Sequence, residues 1–230
     1  MERKDLLIDN AKIFAEQGKI INEVAKADAK IVIVGNPVNT NALILSKFAP
    51  KISRKNITSL TRLDYNRALG VLAKEFDVKI NELSNPIVWG NHSSNLCLDL
   101  DHVVSGGKSL EGLSERQKEI EKIVQQRGAE IIKKRGKSSC FSAATAICDH
   151  VYDWVNGTGD KKYVSMGVFV DDAGEYGIPN HLNFSCPVTC ANGVWSLVKG
   201  IKLSKAVKES ISANIKELDE EKAVAEGAGL

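Results

Sequence analysis

The stretch KIVIVGNP, residues 30 to 37, decides how this chain is read. Ile31, Val32, Ile33 and Val34 are four consecutive β-branched residues, and Gly35, Asn36 and Pro37 stop them. A strand apolar on both sides is buried on both sides, so the run predicts a fully buried parallel strand rather than one face of an antiparallel sheet. Asn36 then stands at the carboxyl end of that strand, where ligands bind in open α/β sheets. An Asn-Pro turn is the plainer reading of the same residues.

The pattern continues on both sides. Before the strand, Leu6, Leu7, Ile13, Phe14, Ile20, Ile21 and Val24 recur at helical spacing, which predicts a helix over 3–26. After it, 39–48 reads as a second helix, and Thr61-x-x-Asp64 opens another that runs to Phe76. "PIVWG", 86–90, reads as a second buried strand. Residues 114–135 are strongly charged around Ile120, Ile123, Val124, Ile131 and Ile132, which marks a long amphipathic helix. "CFSAATAICDHVYDWV", 140–155, is a small-residue helix ending before Gly157, suited to a tight interior or to an interface. "YVSMGVFV", 163–170, is a strand, and 182–190 and 193–198 flank "CANG" as a hairpin. Ser204 starts a last amphipathic helix to about Ala225. The chain therefore moves from β–α alternation to an antiparallel, helix-backed arrangement: an α/β layer to about residue 50, then an α+β portion over 51–230.

Composition narrows the function classes. With 230 residues, 43% of them hydrophobic, the chain can bury a substantial core. Its 31 basic and 29 acidic residues are spread evenly and aromatics are 6%, so no nucleic-acid surface is expected. The five cysteines (97, 140, 148, 186 and 190) lack zinc spacing and read as reduced thiols. No apolar run has the length of a membrane span and "MERKDLLIDN" is not a signal peptide, so no membrane association and a cytoplasmic location are expected.

Two further stretches carry candidate chemistry. "NPIVWGNHSSN", 85–95, places His92 in a polar turn just past an apolar run. "TRLDYNRA", 61–68, places Asp64 and Arg67 three residues apart, one turn from each other on one helix face. Taken alone, His92 is a solvated loop residue, and Asp64 is a cap or half of a surface ion pair worth about 0.3 kcal/mol. Cys148 and His150, two apart on a helix, point to different faces and do not make a nucleophile–base pair.

In order, "VIVGNPVNTN", "SLTRLDYNRA" and "IVWGNHSSN" resemble the lactate/malate dehydrogenase family, in its cytosolic malate branch. The resemblance extends through "VQQRGAEIIKKRGKSSCFSAATAICDHV", "YVSMGV" and "ELDEEK", over essentially the whole chain. It implies an α/β fold: the remainder of a Rossmann-type parallel sheet (1–50, the C-terminal part of an NAD-binding domain), followed by an α+β substrate-binding catalytic domain (51–230). It implies NAD as cofactor, a small dicarboxylate as substrate and a homodimer. It assigns His92 as proton acceptor, Asp64 as the group that orients its ring and Arg67 as the fork that binds the substrate carboxylate. Asn36 and Arg3 would polarise the substrate. Asn10, Gln17, Val34, Gly35 and Asn36 would contact the cofactor, and Ser139 falls near the nicotinamide.

The family's glycine-rich turn, its ribose-binding acid and the loop residue that separates malate from lactate are not found in these residues. A subunit incomplete at its N-terminus, with these residues inactive on their own, is the resulting expectation. A lactate dehydrogenase derived from the malate branch and a catalytically inert interaction subunit stay open as alternatives.

Overall fold

The computed structural model describes residues 3–159, 163–171 and 175–230, leaving out the side chains of 3–5. Helix α1 (Arg3–Val24) leads into strand β1 (Ile31–Ile33) and helix α2 (Val38–Phe48). Strand β2 (Ile57–Ser59) precedes α3 (Arg62–Phe76). Short strands follow: β3 (Leu83–Ser84), β4 (Ile87–Trp89), β5 (Cys97–Asp99), β6 (Val104–Ser105) and β7 (Lys108–Ser109). Then come α4 (Leu113–Arg135), α5 (Phe141–Asn156), β8 (Val164–Phe169), β9 (Asn183–Ala191), β10 (Val194–Leu197) and α6 (Lys205–Gly227).

One five-stranded sheet, in the order β1-β2-β8-β9-β10, runs through the molecule. β1 and β2 are parallel, with Ile31 opposite Ile57, and every other pairing in the sheet is antiparallel. The parallel and antiparallel parts meet at a single residue pair, Ser59 and Gly167. A Cβ at Gly167 would stand 1.8 Å from Ser59 Oγ, so only glycine lets the two strands approach. The β9–β10 hairpin turns at Asn192 and Gly193, both at positive φ, the backbone that a tight turn between right-twisted strands requires.

Helix α2 packs Val38, Ala42 and Leu45 with Ile33, Ile57 and Phe169 as one apolar cluster. The larger cluster gathers Trp89, Leu98, Ile120, Val124, Met166, Phe184 and Leu218 from the strands and from α4 and α6. Fully burying such side chains stabilises by about 1.5–3 kcal/mol each.

One expectation from the sequence needs correction. KIVIVG is parallel but not fully buried: Ile33 is buried, while Val34 is 40% exposed, because β1 pairs with β2 on one side and has no described strand on the other. "PIVWG" forms the expected buried strand, β4, and it stands outside the large sheet. It pairs antiparallel with β5 and touches the sheet through the Gly90–Ser185 bridge. That bridge carries the turn holding His92 to the sheet end.

No described helix is long and apolar enough to cross a membrane. The five cysteines are free, and no metal-binding group of His, Cys, Asp and Glu occurs among the described residues.

Candidate active site

Helix α3 starts after Thr61, but Thr61 does not cap it through its side chain. Thr61 Oγ1 instead pairs with Ser185 Oγ at 2.8 Å, so the expected capping box is not formed. Asp64 is thereby released from capping. Its buried carboxylate uses one oxygen for each of two partners. Oδ2 stands 2.5 Å from His92 Nδ1, and Oδ1 accepts from Arg67 Nη1 at 3.0 Å. The expected surface ion pair is instead an enclosed three-member chain, His92–Asp64–Arg67, with side-chain exposures of 20%, 2% and 14%.

The electrostatics follow from that burial. Desolvation opposes charge on Asp64, but His92 and Arg67 outweigh it and lower its pKa. Desolvation also opposes the imidazolium, yet the adjoining carboxylate wins and raises the pKa of His92, against a smaller opposing push from Arg67. In the neutral ring, Nδ1–H donating to Asp64 leaves the Nε2 lone pair to accept a proton. Nε2 has no partner among the described residues.

His92, Asn36 and Pro37 line a cavity of about 210 Å³ together with Leu6, Leu7 and Ser94. Asn36 is exposed, and its backbone carbonyl accepts from Asn10 Nδ2 at 2.9 Å. Asn10 is thus brought to the strand end, where Val34 and Gly35 are also exposed. Gln17 lies two turns further along α1, exposed. Arg67 lines a different cavity, of about 450 Å³, between α3, α4 and α5, with Gly70, Val71, Lys74, Arg127 and Ser142. The structure therefore joins Arg67 to His92 through Asp64 and not through one continuous cavity. Ser139 lies in the α4–α5 loop, partly buried. The Arg3 side chain is outside the described residues. Cys148 is exposed while His150 is buried with Nε2 2.9 Å from Thr58 Oγ1, its pKa pushed down to about 3 by burial, so these two form no catalytic pair.

Sequence reasoning missed the residues that hold the histidine turn. Asn39, buried in the first turn of α2, accepts the His92 backbone N–H through Oδ1 at 2.9 Å. From α6, Asn214 Oδ1 accepts the Asn91 N–H at 2.8 Å, and Glu221 Oε1 accepts from Asn91 Nδ2 at 3.0 Å. A signal was present: Asn214 and Glu221 interrupt the buried series Val207, Ile211, Leu218 and Ala225 at the same helical spacing. A polar residue on an apolar stripe needs a buried partner.

Two family models of lactate/malate dehydrogenases match the chain: the NAD binding domain over residues 1–58 and the alpha/beta C-terminal domain over 61–227. A cytoplasmic malate dehydrogenase of Zea mays is 44% identical over 98% of this chain and 70% of its own length. The crystal structure of malate dehydrogenase from Naegleria fowleri superimposes with a TM-score of 0.92 at 41% identity, covering 99% of this chain and 70% of that one. Trichomonas vaginalis lactate dehydrogenase in complex with NADH and oxamate superimposes at 0.90 with 30% identity, covering 99% and 72%.

Proposed function

Because the chain belongs to the lactate/malate dehydrogenase family, we propose that it serves as an NAD-dependent malate dehydrogenase, interconverting malate and oxaloacetate. The observation that carries this reading is the Asp64–His92 contact of 2.5 Å, which commits Nδ1 and leaves Nε2 for a proton beside Asn36. NAD, when bound, supplies the acceptor for the hydride that leaves the hydroxyl-bearing carbon. His92 Nε2 takes the hydroxyl proton in that direction and returns it in the other. Asp64 holds the ring in the Nδ1–H tautomer and stabilises the imidazolium, an orienting role like that of the acid in hydrolase triads. Arg67 offers a planar fork to a substrate carboxylate. Asn36 and, from resemblance alone, Arg3 polarise the reacting oxygen.

The residues present suit the nicotinamide end of the cofactor. Val34, Gly35 and Asn36 are open at the end of β1, and Leu6 and Leu7 give the adjoining cavity an apolar wall. Asn10 and Gln17 on α1 complete that side, residues 1–50 serving the cofactor and 51–230 the substrate. Six curated relatives of this chain carry "cytoplasmic" in their names, and we place this protein in the same compartment.

A homodimer is part of the reading. Phe141, Val151, Tyr152 and Val155 on α5 are 84, 38, 64 and 48% exposed, an apolar helix face that a second copy would cover. Sedimentation at micromolar concentration tests this: the chain is expected to run as a dimer and Tyr152→Asp as a monomer.

The catalytic reading is tested by turnover of malate and of lactate with NAD. Two proteins are compared: the chain alone, and a fusion in which residues 1–230 follow the glycine-turn portion of the maize relative. A fusion that oxidises malate faster than lactate supports the assignment. A folded fusion inert with both substrates overturns it in favour of an interaction subunit.

A further inference from the structure

The turn that carries His92 is held from outside, and the holding residues form a closed circuit. Glu221 Oε2 accepts from Thr40 Oγ1. Thr40 is the neighbour of Asn39, whose Oδ1 accepts the His92 N–H at 2.9 Å. His92 follows Asn91, whose Nδ2 donates back to Glu221 Oε1 at 3.0 Å. One buried carboxylate therefore ties the first turn of α2 to the histidine turn, gripping the His92 backbone from both directions.

Two more residues on the same face of α6 extend the grip. Asn214 accepts the Asn91 N–H at 2.8 Å and donates to the Asn95 carbonyl at 2.9 Å. Glu217 accepts from Ser93 Oγ at 2.8 Å and from Asn95 Nδ2 at 3.2 Å. Positions 214, 217 and 221 fall on one side of a helix, so all three reach the same turn. The fit is close: a Cβ at Gly90, which has φ +96, would stand 2.3 Å from Asn214 Oδ1.

We propose that Asn214, Glu217 and Glu221 of α6 are positioning residues for the dehydrogenase reaction, setting where the His92 ring stands relative to Asp64 and the substrate, with Glu221 the most consequential. The proposal rests on the reading of His92 as proton acceptor. Asp64 fixes the ring only if the backbone of the turn is already in place. A displacement of about 1 Å in a reacting group can cost about 100-fold in rate. Among the described residues, the charged groups around the turn include Asp64 and Arg67 from α3 and Glu217 and Glu221 from α6.

The test uses Glu221→Ala, Glu221→Gln and Glu217→Ala, with Glu220→Ala as a control on the exposed side of α6. Two readouts are taken: the His92 titration in the full chain by NMR, assigned with His92→Gln, and kcat for malate oxidation in the fusion. In Glu221→Ala the ring leaves Asp64, so the His92 pKa falls toward its ordinary value and kcat drops about 10- to 100-fold. Glu221→Gln keeps the size and hydrogen-bonding capacity without the charge, and stays near wild type in both. Glu217→Ala moves both readouts the same way by less, and decides the matter if Glu221→Ala does not fold. Equal pKa shifts in Glu221→Ala and Glu221→Gln would overturn the proposal, since the effect would then be one of charge. An unmoved His92 titration in Glu221→Ala and Glu217→Ala would also overturn it, leaving α6 a purely structural brace. The NMR arm needs no turnover, so its failure is distinct from a failure of the malate reading.

Discussion

The histidine turn and the outer face of α1 lie on either side of one cavity and are built in opposite ways. Around His92, backbone and side chains are pinned from three helices: Asn39 on α2, Asp64 on α3, and Asn214 and Glu221 on α6. On α1, Leu6, Ile13, Ile20 and Val24 are more than half exposed, and the adjoining β1 is paired on one described side only. The group proposed for proton transfer is thus fully organised within these residues, whereas the side proposed for the cofactor offers open apolar surface. Proton transfer needs a fixed atom, and many buried hydrogen bonds fix one. An exposed apolar helix face fixes nothing by itself and gains stability only when it is covered.

The sharpest way to break the comparison is His92→Ala in the fusion. Steady-state kinetics should show kcat lowered by about 10²–10⁴-fold, with the NADH dissociation constant nearly unchanged. Retention of more than about a tenth of kcat would return His92 to an ordinary turn residue.

Asp64→Asn follows, with a loss of about 100-fold or more, because the ring loses both its orienting partner and the charge that stabilises its protonated form. The sign of the pH effect is fixed by the shifts. With His92 as the proposed proton acceptor, malate oxidation needs its neutral form, so with its pKa raised the rate is expected to decline on acidification from above the ordinary histidine value. Asp64→Asn should move that acid limb to lower pH, and an unmoved limb would remove Asp64 from this role. Stability follows the same contact. The raised His92 pKa contributes stability that is full below its unfolded value and fades as pH rises through the folded one. The lowered Asp64 pKa contributes above its unfolded value and fades on acidification through the folded one.

Arg67→Lys should raise KM for malate about 10-fold or more, since an ammonium cannot make paired bonds to a carboxylate. A substrate titration with unchanged KM and kcat would confine Arg67 to supporting Asp64. The smallest effect belongs to the other region: Ile13→Ser on the open face of α1 should change the unfolding free energy by less than about 0.5 kcal/mol in urea titration of the chain. A loss of 2 kcal/mol or more, in the range of buried apolar truncations, would show that this face is covered in solution.

The helices were legible from periodicity because each of the six among the described residues spans several turns, long enough for an apolar stripe to repeat. β2, β3, β5, β6 and β7 were not, since strands of two or three residues contain no period to read, and these lack the continuous apolar run that marked β1 and β4. The Asp64–Arg67 spacing on one helix face was visible locally. That Asp64 is buried and not a cap was invisible, because Thr61 is drawn off by Ser185, 124 residues away. The burial of β1 was overestimated for a related reason: β-branched composition reports the capacity to be buried, and the neighbours decide whether it happens.

By itself the sequence determined which chemistry the chain carries. The order of its three motifs names the family, and the residue types of His92, Asp64, Arg67 and Asn36 set the possible roles. Only the tertiary structure decided how those groups are poised. It made Asn39 the amide that holds the His92 backbone, and it enlisted α6 through Asn214 and Glu221. The reason is physical: these contacts join residues 53 to 130 positions apart. No local spacing encodes them. They arise because buried donors and acceptors must find partners once packing has removed water.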